Sequence, residues 1–211
     1  MIALLATAYF PPIDYLTIVV QNPIVLLDEY EYYVKQTYRN RCCILTSMGV
    51  QTLSVPILRH ANHTPVRDIR IDYTESWATR HFRALRTAYN KAPFFLYYQD
   101  DLQLLITKQP QFLLDLNLAI LQWILKLLDC STRVQHTTMY EKQGLFNDYR
   151  TAIHPKRPSV SSEHVDYVQT FNYARFTPNL SILDMLFNCG KESVSLLMKT
   201  RINPIKTTVD R

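Results

Sequence analysis

The amino-terminal residues alternate between apolar runs and one short amphipathic segment. IALLATAYF (2–10) is almost entirely apolar, which is typical of a strand buried on both faces, and two prolines end it. IDYLTIVVQ (13–21) places Ile13, Leu16 and Val20 at helical spacing, and PIVLLDEY (23–30) is a second apolar run. This order of strand, helix and strand predicts a βαβ unit with two parallel strands.

Two more strands and a change of period follow. CCIL (42–45) and QTLSVPIL (51–58) predict a pair of strands joined by TSMGV (46–50). From Trp77 the apolar residues recur at helical spacing, and this stripe of an amphipathic helix ends before Pro93.

The rest of the chain is predicted to be mainly helical. A second helical region extends from about residue 101 to 129, with a break near Pro110, and TRVQHTTMY (132–140) alternates like a strand. SILDMLFNCG (181–190) predicts a last helix, with Ser181 as its amino-terminal cap and Gly190 at its end.

The predicted fold class is therefore α/β. An N-terminal half with a βαβ-containing sheet occupies about residues 1–76, a more helical C-terminal half occupies residues 77–200, and residues 201–211 are expected to fray. At 211 residues the chain fits one domain.

Charge indicates the kind of partner. Lysine and arginine outnumber aspartate and glutamate by 23 to 18, which gives a net charge of +5. This excess favours an anionic small-molecule partner such as a nucleotide, a nucleotide-sugar or an acyl donor, and it also admits RNA such as tRNA. It is too small to indicate nucleic acid by itself.

Several classes of protein are disfavoured. Only three glycines occur, and they lie too far apart for a Gly-rich phosphate loop. The four cysteines lack the spacing of a zinc site, so we expect reduced thiols and no metal site. FLLDLNLAILQWILKLL (112–128) carries four polar residues and is expected to be a core helix, not a membrane span. These observations favour a cytoplasmic protein and identify no cofactor.

The stretch DEYEYYVKQTYRNR (28–41) surrounds basic residues with tyrosines. If residues 28–45 formed one extended strand, Lys35, Arg39 and Arg41 would share a face, where they could bind a phosphate or carboxylate. The alternative is an ordinary solvated strand face whose glutamates pair with these cations. This stretch alone leaves both interpretations open.

Two residues at the ends of this stretch are further binding candidates. Asp28 ends a buried strand, which is a usual place for site residues in parallel α/β folds, although it could equally cap the strand end. Asn40 would lie on the opposite face from the cations, so it joins the site only if a β-bulge turns it; otherwise it is a structural amide.

Three residues are candidates for catalysis. His154 and Lys156 flank a proline in AIHPK (152–156), where the histidine could act as general base in amine acylation while the lysine holds an oxyanion or phosphate. His81 lies on the apolar stripe of its helix, so it is either a second candidate base or a hydrogen-bonded core residue.

Several stretches together resemble the WbqC-like protein family. VLLDEYEYYVKQTYRNRCCI fits the family's pattern at Asp28, Lys35, Asn40, Arg41 and Ile44. TAYFPPIDYL precedes it, and the stretches LSVPI, WATRHFRALRTAYNKAPFF, LLDLN, DYRTAIHPKRPS and YVQTFNYARFTPNLSILDMLFNCG follow in the family's order. The resemblance covers about residues 5–195.

The resemblance implies a setting in the synthesis of bacterial surface polysaccharides of the O-antigen type. It implies no established catalytic residue. The leading hypothesis is a transferase that moves an aminoacyl group such as glycyl, or an acyl group, onto an amino-sugar. A non-catalytic module that binds a nucleotide-sugar or a partner enzyme is the first alternative, and a tRNA-binding protein is the second.

Overall fold

The computed structural model describes residues 2–141, 146–171 and 175–203. It confirms the predicted βαβ unit: β1 (Ala3–Ala6) is followed by α1 (Ile13–Gln21) and β2 (Ile24–Asp28). The two strands pair in parallel, from Ala3 beside Val25 to Ala6 beside Asp28. The apolar residues Ala3 to Leu5 of β1 are buried, whereas β2 alternates between buried Val25 and Leu27 and half-buried Ile24 and Leu26.

Two later strands complete a parallel sheet. β5 (Arg133–His136) pairs with β2, and β6 (Asn147–Asp148) pairs with the other side of β1. The strand order is β5-β2-β1-β6. All four carboxyl ends therefore lie at one edge. β2 and β5 lie on one side of β1 and β6 lies on the other, so the strand order reverses between β1 and β6.

The stretch from 29 to 40 corrects one prediction, because it is a loop rather than part of a long strand. β3 spans only Arg41–Thr46 and pairs antiparallel with β4 (Gly49–Ser54), which confirms the predicted hairpin. The Asp28 carboxylate accepts the backbone N–H groups of Tyr30 and Glu31, so the chain turns immediately after β2.

Three helices form most of the middle of the chain. α2 spans Trp77–Tyr89 as predicted and buries its apolar stripe. The second helical region is broken near Pro110 into α3 (Phe95–Thr107) and α4 (Leu113–Leu127). α3 begins six residues earlier than expected, because Phe95 is itself buried at helical spacing from Leu102.

The C-terminal part contains one helix more than predicted. α5 (Ile182–Cys189) is capped at its amino terminus by Ser181, whose hydroxyl accepts a hydrogen bond from the N–H of Leu183. It is not the last helix, since α6 (Ser193–Lys199) follows. β7 (Ser161–Glu163) then pairs with β8 (Arg201–Ile202), so the start of the predicted frayed tail is a strand, and residues 204–211 lie outside the described part.

Two expectations from composition agree with the structure. All four cysteines are free thiols, and Cys42 is fully buried. Over the described ranges, no helix has both the length and the apolar character needed to cross a membrane.

Candidate functional site

A recess lies at the carboxyl edge of the parallel sheet, between the chain segments that leave β1 and β6. Its volume is about 250 Å³, including space open to solvent. It is lined by Ala6, Thr7, Ala8, Tyr15, Tyr38, Arg39, Tyr149, Arg150 and Ile153. This is the point at which the strand order reverses, where open α/β sheets bind their ligands.

Asp28 and Arg150 form a buried ion pair at this edge of the sheet. Arg150 Nη1 donates to Asp28 Oδ2 at 2.5 Å, and its remaining nitrogens donate to Asp148. The hydroxyl of Thr137, just after β5, also donates to the Asp28 carboxylate. The buried Asp28 carboxylate thus links the end of β2 to the residues that follow β5 and β6. Its oxygens already accept hydrogen bonds from the protein.

Arg39 is held by a second buried ion pair. Its Nε and Nη2 donate to the two carboxylate oxygens of Glu31 at 2.8 and 2.5 Å. Both side chains are about 5% exposed. Burial is the largest influence on Glu31 and raises the pKa of its carboxyl, although Arg39 acts in the opposite direction. The positive charge of Arg39 is therefore largely neutralised within the protein.

The loop after β6 packs against the loop after β2. Lys156 Nζ donates to Gln36 Oε1 at 2.5 Å, which joins two segments 120 residues apart in sequence. The structure thus brings together the two groups of candidates that the sequence presents separately. We call Arg41, His154, Lys156 and Arg157 the basic rim. None of the four lines the recess itself, but His154 directly follows the lining residue Ile153, and the other three are near enough to His154 to influence its charge.

Arg41 is the most buried cation of the rim. It is half-buried at the start of β3, and its Nε is enclosed without a hydrogen-bond partner. In the described ranges it forms no ion pair, unlike Arg39 and Arg150. The two Nη nitrogens of the same guanidinium are not enclosed and have no hydrogen-bond partner in the described ranges, so an anion can bind Arg41 through them.

His154 is half-buried among positive charges. Burial and the charges of Arg157 and Lys156, followed by those of Arg39 and Arg41, lower the pKa of its imidazole. Its Nδ1 accepts the backbone N–H of Lys156 at 3.0 Å. The neutral ring that accepts this bond carries its proton on Nε2, so it presents a donor to a ligand.

His81 lies away from the residues that line the recess. It is 6% exposed, its Nδ1 lies 2.9 Å from the Tyr9 hydroxyl, and its ring packs edge-on against Trp77. Burial lowers the pKa of His81 to about 4, and a hydrogen bond to the backbone of Ser54 opposes this shift. These contacts match the core alternative for this residue.

The two remaining candidates differ in their surroundings. Asn40 is buried immediately before β3, and its Nδ2 donates to the carbonyl of Val55, as expected of a structural amide. Lys35 is exposed in the same loop, one residue before Gln36.

An exposed aromatic pair lies beside the recess. The rings of Tyr32 and Tyr140 are stacked, with centroids 6.0 Å apart and planes 18° apart, and each residue is 51% exposed. The guanidinium of Arg150 lies 5.3 Å from the centroid of the Tyr140 ring. Such a pair offers an apolar face on which a ring of a ligand can stack.

Sequence reasoning missed most of the recess. Thr7 directly follows β1, so its position after a predicted strand was a usable signal. Arg150 follows a strand of only two residues, which no periodicity can detect. The tyrosines gave no local signal, because they approach one another only through the packing of α1, the β2 loop and the β6 loop.

The chain belongs to the WbqC-like protein family, whose sequence profile matches residues 7–157 and 139–196. It is also similar to the uncharacterized protein Rv1507c of Mycobacterium tuberculosis (strain ATCC 25618 / H37Rv). The two are 29% identical over 231 residues, which cover 95% of this chain and 98% of the relative. No solved structure matches the chain significantly.

Proposed function

We propose that this member of the WbqC-like protein family is a transferase that binds a phosphate-bearing substrate at the carboxyl edge of its sheet. The group transferred would be an aminoacyl group such as glycyl, or an acyl group, and the acceptor would be an amino-sugar for surface polysaccharide of the O-antigen type. The resemblance to the family supplies the polysaccharide setting. The geometry of the basic rim supports the phosphate-bearing substrate.

One observation carries the proposal: in the described ranges the Arg41 guanidinium has no hydrogen-bond or ion-pair partner, and it lies next to a loop that supplies further cations. Lys156 and Arg157 are close enough to lower the pKa of His154, and so is Arg41. A phosphate would satisfy Arg41 and neutralise this cluster at once. Arg39 contributes less, because Glu31 already occupies its guanidinium.

In acyl transfer, the acceptor nitrogen forms a bond to the acyl carbonyl carbon, and the bond from that carbon to the leaving group breaks. The proton lost by the nitrogen goes to the leaving group or to water. In the tautomer set by the bond from Lys156, His154 donates from Nε2 to the developing oxyanion or to a phosphate oxygen. Action as a base at Nε2 would require the ring to give up that bond.

A thermal-shift screen tests the anion site directly. The purified chain would be heated with nucleotides, nucleotide-sugars, acyl carriers and bulk tRNA at two salt concentrations. A ligand at 100 times its dissociation constant adds about 2.7 kcal/mol, which raises Tm by about 5 °C or more. We expect a nucleotide-sugar or a phosphorylated acyl donor to give this shift.

Two variants show whether the shift comes from the rim. We expect Arg41→Gln to abolish it, whereas Arg83→Gln, at an exposed position on α2, retains it. A shift that survives Arg41→Gln would overturn the proposed site. A shift with tRNA alone that weakens steeply with salt would indicate RNA binding instead, and binding without turnover of any acyl donor would indicate a non-catalytic module.

A further inference from the structure

The recess differs from the basic rim in its charge. Its two guanidinium groups belong to Arg39 and Arg150, and both are paired: Arg39 with Glu31, and Arg150 with Asp28 and Asp148. Two cations therefore face three carboxylates. Even with Glu31 protonated, no positive charge is left over, so the recess itself is not suited to a phosphate.

The recess is instead rich in hydroxyl groups without partners. Four of its lining residues carry one, and each is less than a tenth exposed: Thr7, Tyr15, Tyr38 and Tyr149. Over the described ranges, none of these hydroxyls forms a hydrogen bond with the protein, and neither does Nη1 of Arg39. Burial raises the pKa of the Tyr15 phenol, and Glu31 adds to this effect, so that hydroxyl stays protonated.

None of these four hydroxyl oxygens is among the enclosed side-chain atoms that lack a partner, so they are open to the recess and a ligand there can form hydrogen bonds with them. The enclosed part of the recess has room for about one group of the size of a water molecule. The site therefore fits one small polar substituent of a substrate, while the rest of that substrate lies in the open mouth.

We propose that the recess binds an uncharged hydroxyl group of the substrate, such as a sugar hydroxyl, separately from the phosphate. This rests on the proposed function, because it divides the same substrate between two neighbouring subsites. A hydroxyl both donates and accepts, so it matches the hydroxyls of Thr7 and Tyr149 and the free Nη1 of Arg39.

The charges disfavour the other small polar groups. The two guanidinium groups that line the recess would repel an ammonium group, because their carboxylate partners are not lining residues. Both guanidinium groups are already paired with those carboxylates, so neither is free to bind a further carboxylate or phosphate. A neutral hydroxyl avoids this repulsion and needs no free cation.

Two probes and isosteric variants separate the subsites. Ligand-observed NMR would measure binding of N-acetylglucosamine, a neutral sugar, and of inorganic pyrophosphate to the same full-length chain. Tyr149→Phe and Thr7→Val each remove one hydroxyl with little change of volume. Arg41→Gln removes one cation of the rim, and Tyr97→Phe removes a hydroxyl from a residue that is 78% exposed on α3.

We expect Tyr149→Phe and Thr7→Val to weaken sugar binding about fivefold each, as loss of one neutral hydrogen bond implies, and to leave pyrophosphate binding within about twofold. Arg41→Gln should weaken pyrophosphate binding and leave sugar binding within about twofold, and Tyr97→Phe should change neither affinity. Sugar binding unaffected by either recess variant, or no sugar binding at tens of millimolar, would overturn the inference. Pyrophosphate binding that is unchanged in Arg41→Gln would instead overturn the phosphate site, so the two failures are distinguishable.

Discussion

Arg150 and Asp28 are 122 residues apart in the chain, yet Nη1 of the arginine lies 2.5 Å from Oδ2 of the aspartate. Their side chains are 5% and 0% exposed. Because Arg150 follows β6 and Asp28 ends β2, this ion pair fixes the positions at which two loops leave the sheet. Those loops carry five of the nine residues that line the recess and three of the four residues of the basic rim.

The first prediction concerns this pair. Arg150→Met keeps an extended side chain but leaves the Asp28 and Asp148 carboxylates without their cation. Removing one partner of a buried ion pair typically costs about 3–5 kcal/mol, because the remaining charge is buried without compensation. We expect the free energy of unfolding in urea to fall by this amount.

An exposed ion pair provides the matched control. Arg80 Nη2 lies 2.6 Å from Glu75 Oε2, but both side chains are more than half exposed. Arg80→Met should therefore change the free energy of unfolding by no more than about 1 kcal/mol. Equal losses in the two variants would show that the buried pair does not hold the loops.

The second prediction is a pH dependence due to His81. Burial lowers the pKa of this ring to about 4 in the native state, whereas it is about 6.5 in an unfolded chain. As the pH falls below about 6.5, the unfolded chain binds a proton that the native state does not, so the native state loses stability until the pH reaches about 4. Between pH 7 and pH 5 the contribution is about 2 kcal/mol.

Urea unfolding at pH 7 and pH 5 measures this difference. His81→Gln should remove most of the contribution, although it should also lower stability at pH 7 through loss of the contact with Tyr9. His63→Gln, at an exposed position, should keep the wild-type dependence. If His81→Gln retained the same pH dependence, the buried neutral histidine would not be its source.

The third prediction compares two glycines with positive φ. A Cβ on Gly190, at φ +57°, would lie 2.8 Å from ring atoms of Phe94, whereas a Cβ on Gly49, at φ +100°, would meet nothing within 4 Å. Gly190→Ala should cost about 2–4 kcal/mol through strain and overpacking, and Gly49→Ala about 1–2 kcal/mol through strain alone. Thermal unfolding of both variants checks this order, and a larger loss for Gly49→Ala would contradict it.

The fourth prediction concerns Lys156, which contributes charge to the rim and donates to Gln36. Lys156→Ala should lower the affinity for pyrophosphate about three- to tenfold, as loss of one partly exposed charge–phosphate contact implies. Lys91→Ala, at an exposed position just after α2, should leave the affinity unchanged. Titration calorimetry at low salt measures both, and equal effects would show only a general contribution of net charge.

Local sequence patterns were sufficient for most of the longer elements, although not for α6 or the short strands β6, β7 and β8. β1 and β2 are continuous apolar runs, and α1 and α2 have apolar residues at helical spacing. Each of these patterns lies within one short stretch of the sequence. The hairpin β3–β4 and the cap at Ser181 were predicted for the same reason. These patterns also carried the resemblance to the WbqC-like family, which the matching profile confirms.

The loop from 29 to 40 shows where such patterns fail. Its alternation of tyrosines and charges is that of a half-buried strand, but the Asp28 carboxylate binds the next two backbone N–H groups and turns the chain. Lys35, Arg39 and Arg41 consequently do not share a strand face. Arg39 is buried against Glu31, while Arg41 keeps its Nε free.

Local patterns in the sequence predict most of the longer helices and strands, the family, and the two candidate stretches around Arg41 and His154. That these stretches meet, that Arg150 pairs with Asp28 and that four hydroxyls line one recess follows from the packing of the folded chain. The difference lies in the separation of the interacting residues along the chain. Secondary structure follows from side-chain periods over a few residues, whereas the site depends on contacts between segments more than a hundred residues apart, which only the packing of the parallel sheet brings together.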